Sequence, residues 1–266
     1  MASVDTATAT DAPKVVKTAY PLAVDLANYP EPIGAYVTGG MEAIEGWGVD
    51  PFLARLFLLL DSFQREYGIG GNLFEIGVHH GRSAVLLALL TREDETAVFL
   101  DLFERQTENI DSSGRGDREA FEANLETWAP DRRVEIIQGN SLEVDLTAIP
   151  ALKAGVRFAH IDGAHHRAAV LNDLAKTQPH VCEGGVVVMD DFMHSGFPGV
   201  NEACNYYLEQ RYGALLAPVA LGHNKLILTP RASQEPLRAY LAAHLRPPIG
   251  GEVIYHDYRA LCLDQH

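Results

Sequence analysis

The sequence is poor in cysteine, in positive charge and in long apolar runs. Its cysteines, Cys182, Cys204 and Cys262, lie far apart and form no CxxC pair. This excludes a closed disulfide framework and the usual zinc-finger spacings. Such cysteine use is typical of a reducing compartment, so we expect the protein in the cytoplasm.

The shortage of positive charge bears on the partners of the protein. Lysine and arginine total 21 against 36 aspartates and glutamates, which gives a formal net charge of -15. A surface this acidic repels phosphate backbones and anionic lipid. We therefore expect no nucleic-acid partner and no membrane partner. The most apolar window, residues 51–63, contains Arg55 and Asp61 and is too short to span a bilayer.

What the chain has is enough apolar sequence for one large core, because 47% of its 266 residues are hydrophobic. Composition divides it into three parts. Residues 1–48 are rich in proline and glycine and are predicted to form an irregular N-terminal arm, a candidate lid. Residues 49–230 alternate apolar runs with amphipathic segments and are predicted to form the main domain. Residues 231–266 are predicted to form a C-terminal extension of one helix and an extended end.

The alternation within residues 49–230 predicts an α/β fold. Helical patterns separate the strand candidates, which favours βαβ units and a mostly parallel sheet. Gly222-His223-Asn224 between two later apolar runs predicts a terminal antiparallel hairpin. The predicted strands of the parallel part are residues 73–76, 98–102, 134–138, 156–161 and 186–189.

The first strand leads into a glycine-containing turn that opens a helix. Gly77 allows a tight turn, and Gly81 allows a ligand to approach the helix N-terminus. The spacing E-x-G-x-x-x-G differs from the dinucleotide pattern G-x-G-x-x-G and lacks the lysine of a phosphate-binding loop. Glu75 beside the turn suits a cationic group, such as an α-amine, better than a pyrophosphate. An ordinary turn of an α/β protein remains the alternative.

The ends of the next two strands predict the rest of this pocket. Asp101 follows Gly81 by 20 residues, the distance at which an acid takes two ribose hydroxyls. Asn140 and Ser141 place small polar groups where an adenine edge would lie. Together these residues predict a pocket for an adenosine that carries an amino acid.

Three segments carry a resemblance to a known family: residues 75–83, 162–166 and 184–192. The chain resembles class I S-adenosylmethionine-dependent methyltransferases, and among them the small metal-dependent sugar O-methyltransferases similar to macrocin O-methyltransferase. The resemblance implies a Rossmann-like, mostly parallel seven-stranded sheet with a C-terminal antiparallel hairpin and helices on both faces. It also implies that S-adenosylmethionine is the cofactor. The residues that it implies for the cofactor are Glu75, Gly77, Gly81, Ser83 and Asp101; we expect His79 to shape the same pocket.

An acidic cluster is predicted beside this pocket. Asp162 ends the fourth strand, and Asp190 and Asp191 end the fifth, so neighbouring strands would bring them together over the crevice. Three carboxylates repel one another unless a cation neutralises them. Oxygen ligands suit Mg²⁺, with Mn²⁺ and Ca²⁺ as alternatives. The alternative for any one aspartate is a helix cap or a solvent-facing residue.

A histidine beyond Asp162 is the predicted general base. Related sugar O-methyltransferases resemble the D-x-x-H arrangement of Asp162 and His165, and an imidazole with a pKa near 6.5 accepts a proton at neutral pH. His166 and His194 are rival candidates, and Asp162 could itself take the proton.

The function expected from the sequence is Mg²⁺-dependent O-methylation of a hydroxyl of a small molecule, in particular a sugar of a glycosylated natural product. A phenolic or catechol acceptor stays open, and so does a non-catalytic S-adenosylmethionine-binding protein. A nicotinamide-dependent dehydrogenase is disfavoured by the glycine spacing and the terminal hairpin. The tail after Pro230 has two candidate partners, its own domain and a second subunit, so a homo-oligomer stays open as well.

Overall fold

The computed structural model describes residues 29–47, 50–210, 213–245 and 251–264. Residues 1–28 and 48 of the predicted arm lie outside the described residues, as do 246–250 and 265–266 of the predicted extension. The helices are α1 (Glu31–Thr38), α2 (Pro51–Glu66), α3 (Arg82–Leu90), α4 (Arg118–Trp128), α5 (Pro150–Lys153), α6 (Arg167–Thr177), α7 (Pro198–Glu209) and α8 (Gln234–His244). Among the described residues, no helix is long and apolar enough to cross a membrane.

The strands form one mixed sheet. They are β1 (Asn72–Ile76), β2 (Ala97–Asp101), β3 (Val134–Gln138), β4 (Val156–Ile161), β5 (Val181–Met189), β6 (Leu216–Gly222), β7 (Lys225–Pro230), β8 (Gly251–Tyr255) and β9 (Tyr258–Cys262). Their order across the sheet is β3-β2-β1-β4-β5-β7-β6-β9-β8. The first five strands in chain order are parallel, and β7 runs antiparallel to both β5 and β6. The predicted α/β fold with an antiparallel hairpin is therefore confirmed.

The predicted strand number is wrong, because the described residues form nine strands rather than seven. The extra pair, β8 and β9, comes from the C-terminal extension, and β9 pairs with β6 in parallel. The β8–β9 turn uses His256 and Asp257, whose φ angles of 48° and 67° lie in the left-handed region. Such turns usually contain glycine or asparagine. The tail lacks that signal at this position, so the sequence pattern did not predict a hairpin there.

Helices cover both faces of the sheet, as expected. One apolar core contains side chains of α1, α2, α3, α4 and α8, and a second core on the other face contains those of α5, α6 and α7. The start of helix α2 follows from its local sequence, since the Asp50 carboxylate accepts hydrogen bonds from the Phe52 and Leu53 N–H groups and Pro51 occupies the first turn. This packing fixes the parallel strands so that the carboxyl ends of β1, β2, β4 and β5 share one edge.

Candidate functional site

A cleft of about 720 Å³ opens at the carboxyl ends of the parallel strands. That volume lies within the range of cavities that bind drug-sized ligands. The predicted site residues that line it are Gly77, His79, Ser83, Asp101, Asn140, Ser141, Asp162, His165, Asp190 and Asp191. Glu75 and Gly81 are not among its lining residues. Of the rival histidines, His194 lines the cleft and His166 does not.

The two glycines of the first turn are required by close packing. Gly77 has a φ of 85°, and a Cβ atom there would lie 1.8 Å from the Asp162 carbonyl oxygen. Gly81 has a φ of 92°, and a Cβ atom there would lie 2.3 Å from the Phe121 ring of α4. Only glycine fits either position. The structure thus gives Gly81 a role in helix packing, beside the ligand approach that the sequence predicts.

Glu75 lies beneath the turn and is fully buried. Its Oε1 accepts hydrogen bonds from the Ser83 hydroxyl and from the His160 ring Nδ1, the latter at 2.7 Å. Burial raises the pKa of the Glu75 carboxyl, and the hydrogen bonds from His160 and Ser83 oppose that shift. Glu75 therefore acts on the cleft only through Ser83, which lines it. Glu75 itself does not line the cleft, so the structure shows no direct contact of its carboxylate with a ligand amine.

Asp101 uses its carboxylate to hold the same turn. Its Oδ2 accepts the Val78 N–H at 2.5 Å and the His79 N–H at 3.0 Å, and its Oδ1 accepts the Phe103 N–H at 2.5 Å. His79 adopts a left-handed φ of 57°, and its ring Nδ1 is buried with no hydrogen-bond partner among the described residues. The Asp101 side chain thereby fixes a backbone conformation that most residues rarely adopt.

The predicted acidic cluster exists, but its aspartates do not converge on one point. Candidate ligand atoms lie within 4.8 Å of one another in two groups, one of His160, Asp162 and Asp190, the other of Asp162, His165 and Asp191. Asp162 belongs to both groups. Neither group contains all three aspartates. Each group consists of two aspartates and one histidine.

Two cations already neutralise Asp190. The Lys225 ammonium lies 2.5 Å from Asp190 Oδ1, and His160 Nε2 lies 3.3 Å from Oδ2. All three side chains are buried. Burial opposes the charge of His160, but the hydrogen bonds to Asp190 and Glu75 outweigh it and raise the pKa of the His160 ring to about 10. A chain of buried hydrogen bonds thus connects Ser83, in the turn, with Lys225, on β7.

His165 is held between two carboxylates. Its Nδ1 lies 2.9 Å from Asp111 Oδ2, and its Nε2 lies 2.8 Å from Asp191 Oδ2. Burial opposes the charge of the ring, but these two hydrogen bonds raise the pKa of His165 to about 10. The ring also stacks on Phe197 with centroids 3.7 Å apart. At neutral pH the ring is therefore charged in the described state, and neither nitrogen has a free lone pair.

Asp162 differs from its neighbours because no described residue donates a hydrogen bond to its carboxylate. Burial raises its pKa well above the ordinary value, and the negative charges of Asp190 and Asp191 act in the same direction. Asp191 has a left-handed φ of 54°, a backbone conformation uncommon outside glycine, and its N–H donates to Asp190 Oδ1 at 2.6 Å. A lining carboxylate without a donor, beside two others, has the chemistry of a hard-cation ligand. The residues present therefore fit a divalent cation.

Sequence reasoning missed four residues that shape this cluster: Asp111, His160, Asn224 and Lys225. Asn224 donates a hydrogen bond to Asp191 Oδ1 at 2.6 Å, and the others are described above. Only His160 left a signal in the sequence, since a histidine inside an otherwise apolar strand needs a buried partner. The contacts of the other three depend on how distant strands and loops pair.

Comparisons with known proteins agree on the type of domain. Residues 74–192 match a family model described as "Methyltransferase domain", a segment that contains the predicted site residues apart from the rival base His194. The comparison with curated proteins found no match.

Solved structures share the fold at low sequence identity. The O-methyltransferase NovP is 18% identical over 66% of this chain and 79% of its own, with a TM-score of 0.55. Cofactor-bound Rv0187 from MTB is 16% identical over 76% and 90%, with a TM-score of 0.54. The SAH-bound methyltransferase PaMTH1 from Podospora anserina is 11% identical over 77% and 92%, with a TM-score of 0.53.

Proposed function

We propose that the chain is a class I, S-adenosylmethionine-dependent methyltransferase that methylates a hydroxyl oxygen of a small molecule, which the match to a methyltransferase-domain model and the shared fold support. The observation that carries this proposal is the Asp162 carboxylate. It lines the same cleft as the glycine turn, it has no hydrogen-bond donor among the described residues, and its pKa is raised by burial and by two neighbouring carboxylates. A basic oxygen at this place suits a reaction in which the acceptor loses a proton.

The chemistry of the transfer explains why the acceptor side needs charged groups. The methyl-sulfonium of the cofactor is already a strong electrophile, so the protein has little to do there beyond orientation. A hydroxyl is a poor nucleophile until its proton leaves. Alignment of oxygen, methyl carbon and sulfur supplies much of the rate, and a positioned base adds about 10²–10⁴-fold.

The residues of the turn are proposed to hold the cofactor. Ser83, His79 and the backbone at Gly77 would contact the methionine part, and Asp101 would keep the turn in place and face the ribose. Asn140 and Ser141 line the far end, where the adenine would lie. The acidic lining favours a cofactor that carries a positive sulfonium.

We propose that Asp162 would hold Mg²⁺ together with Asp191 or Asp190, since Asp162 shares a group of candidate ligand atoms with each of them; Mn²⁺ and Ca²⁺ are the alternatives. When bound there, such an ion would stabilise the negative charge that develops on the acceptor oxygen. The proton of the acceptor is proposed to pass to Asp162, because the His165 ring, the base predicted from the sequence, is already protonated in the described state. Asp162 is the better acceptor in the described state, because both His165 nitrogens are engaged with carboxylates.

The cleft mouth supports a neutral or cationic acceptor with an apolar part. Trp47, Ile110 and Leu142 are exposed and line it, and Arg82 is the one arginine or lysine among its lining residues, donating to the Ile44 carbonyl. Anionic groups would meet Glu45, Glu108 and the aspartates there instead of a cation. A sugar on an apolar aglycone fits this description, and we propose a glycosylated natural product as the acceptor. A phenolic acceptor is the second candidate, because the exposed Trp47 ring offers a stacking surface.

The test has a binding arm and a transfer arm. Calorimetry is expected to show S-adenosylhomocysteine binding at micromolar strength, and labelled S-adenosylmethionine is expected to give methylated product from a panel of neutral glycosides and catechols. Binding without product from any acceptor would support the non-catalytic alternative. Full turnover by metal-free protein in excess chelator would contradict the role of the cation.

A further inference from the structure

The connection between β2 and α4, residues 102–117, is fixed to the opposite side of the cleft by one side chain. Asp111 Oδ2 accepts the His165 backbone N–H at 2.7 Å and lies 2.9 Å from the His165 ring Nδ1. Asp111 Oδ1 accepts the Ser113 N–H at 3.1 Å and the Ser113 hydroxyl at 2.6 Å. Both oxygens of this carboxylate are therefore used, and each is in contact with two donors of a single residue.

The position of this contact in the sheet makes the connection a cover. Asp111 follows β2 and His165 follows β4, and β1 lies between those strands. To reach His165, the connection has to pass over the carboxyl end of β1, where the glycine turn begins. Residues 106, 108–110 and 112–114 accordingly line the cleft.

The contact has features that an incidental surface ion pair lacks. The Asp111 and His165 side chains are each 11% exposed, and the backbone N–H of His165 cannot rotate away from its acceptor. Burial disfavours the charged form of Asp111, but the hydrogen bonds from His165 and Ser113 hold the pKa of its carboxyl well below the ordinary value. Charge-assisted hydrogen bonds of this kind are stronger than neutral ones.

The same contact determines which nitrogen of His165 faces Asp191. With Nδ1 on Asp111 and the ring face on Phe197, the remaining nitrogen, Nε2, points to Asp191. Without the Asp111 carboxylate, the ring would be held only by Asp191 and by the stack on Phe197.

We propose that Asp111 is a positioning residue that orients the His165 ring and fastens the 102–117 connection across the cofactor cleft. The first part rests on the proposed function, because the orientation of His165 matters only if the cleft transfers methyl groups. The second part is a statement about the connection itself and holds for any ligand of the cleft.

The test compares Asp111→Asn with the matched control Asp145→Asn. Asp145 forms the same local turn, since its Oδ1 accepts the Thr147 N–H at 3.0 Å and the Thr147 hydroxyl at 2.6 Å, but no histidine among the described residues contacts it. Trypsin provides a readout that needs no ligand, because Arg105 and Arg115 lie in the connection and are exposed. We expect Asp111→Asn to be cleaved at these arginines about ten-fold faster than the parent, and Asp145→Asn to match the parent.

Two further readouts separate positioning from a merely structural role. In ¹⁵N-histidine-labelled protein, the Nδ1–H signal of His165, assigned with His165→Asn, is expected to be protected from exchange with water and to lose that protection in Asp111→Asn. Dissociation of S-adenosylhomocysteine is expected to be about ten-fold faster in Asp111→Asn.

The outcomes are distinguishable. Cleavage, His165 signal and ligand release equal to those of the parent would overturn the proposal. Faster cleavage with an unchanged His165 signal would overturn the positioning of the ring. A parent protein that binds no S-adenosylhomocysteine would overturn the proposed function, and the trypsin and NMR readouts would still decide the role of Asp111.

Discussion

Both ends of β4 carry buried charged side chains, but the charges at the two ends are neutralised to different degrees. At the amino end, the Arg157 guanidinium donates to Asp61 and Glu95 at 2.8 to 2.9 Å and also to the Gln64 side chain and the Leu90 carbonyl. At the carboxyl end, Asp190 of the neighbouring β5 end forms hydrogen bonds with two cations, but no described residue donates a hydrogen bond to Asp162.

This difference separates a structural network from a functional one. The amino-end network lies under α2 and away from the cleft, and every nitrogen of the Arg157 guanidinium has an acceptor. The carboxyl-end network opens on the cleft and keeps a surplus of negative charge. A fully paired buried network specifies packing, whereas a surplus of one sign is unfavourable unless a ligand or an ion compensates it.

The largest effect is expected from removing the surplus negative charge at Asp162. Asp162→Asn should lower methyl transfer by about 10²–10⁴-fold, because the group that accepts the proton or holds the cation is lost. Its melting temperature should not fall, since the repulsion by Asp190 and Asp191 is relieved. Labelled methyl transfer and thermal melting check both statements. More than a tenth of the parent activity in the variant would contradict the assignment.

Breaking the fully paired network at the amino end of β4 should have the opposite result: stability falls and methyl transfer is kept. Arg157→Met leaves Asp61 and Glu95 buried without their main cation, and we expect a loss of about 3–5 kcal/mol in the free energy of unfolding. Denaturant unfolding measures it. Methyl transfer per folded molecule should stay close to that of the parent. A stable variant that cannot transfer methyl groups would show that the two ends of β4 are coupled.

A smaller effect is expected from pH acting on His160. Its pKa in the folded chain is about 10, against an ordinary value of 6.5, so the folded state holds this proton more tightly than the unfolded state. The stabilisation is complete below about pH 6.5 and is lost as pH rises toward about 10, by at most about 1.4 kcal/mol per pH unit.

Unfolding at a series of pH values checks this expectation with two variants. His160→Asn should show a shallower fall of stability with pH between about 6.5 and 10 than the parent. His166→Asn, which changes an exposed histidine, should follow the parent. Identical slopes in the parent and His160→Asn would contradict the charged state of the buried ring.

Local sequence patterns predicted the parts of the molecule whose causes are local. The turn at Gly77, the N-cap at Asp50 and the hairpin at His223-Asn224 each follow from residues within one or two turns of chain. The aspartates were placed at one edge of the sheet because parallel strands end together. These inferences need no knowledge of which distant residues meet.

The missed features depend on contacts between distant residues. Asp111 is 54 positions from His165, and Lys225 is 35 positions from Asp190, so neither pairing leaves a periodic signal. The raised pKa of the His165 ring comes from its hydrogen bonds with Asp111 and Asp191. The sequence does not show these partners, so it predicts an imidazole with an ordinary pKa. Strand β9 likewise depends on a contact between distant residues, because it pairs with β6 at the edge of the sheet.

The most direct test of this account is a calorimetric titration of Mg²⁺ into protein saturated with S-adenosylhomocysteine. We predict one Mg²⁺ per chain for the parent and for Gln64→Glu, a variant in α2 that contacts Arg157 at the amino end of β4, and at least ten-fold weaker binding for Asp162→Asn. Absence of Mg²⁺ binding by the parent, or equal binding by Asp162→Asn, would contradict the claim that the carboxyl end of β4 keeps its negative surplus for a cation.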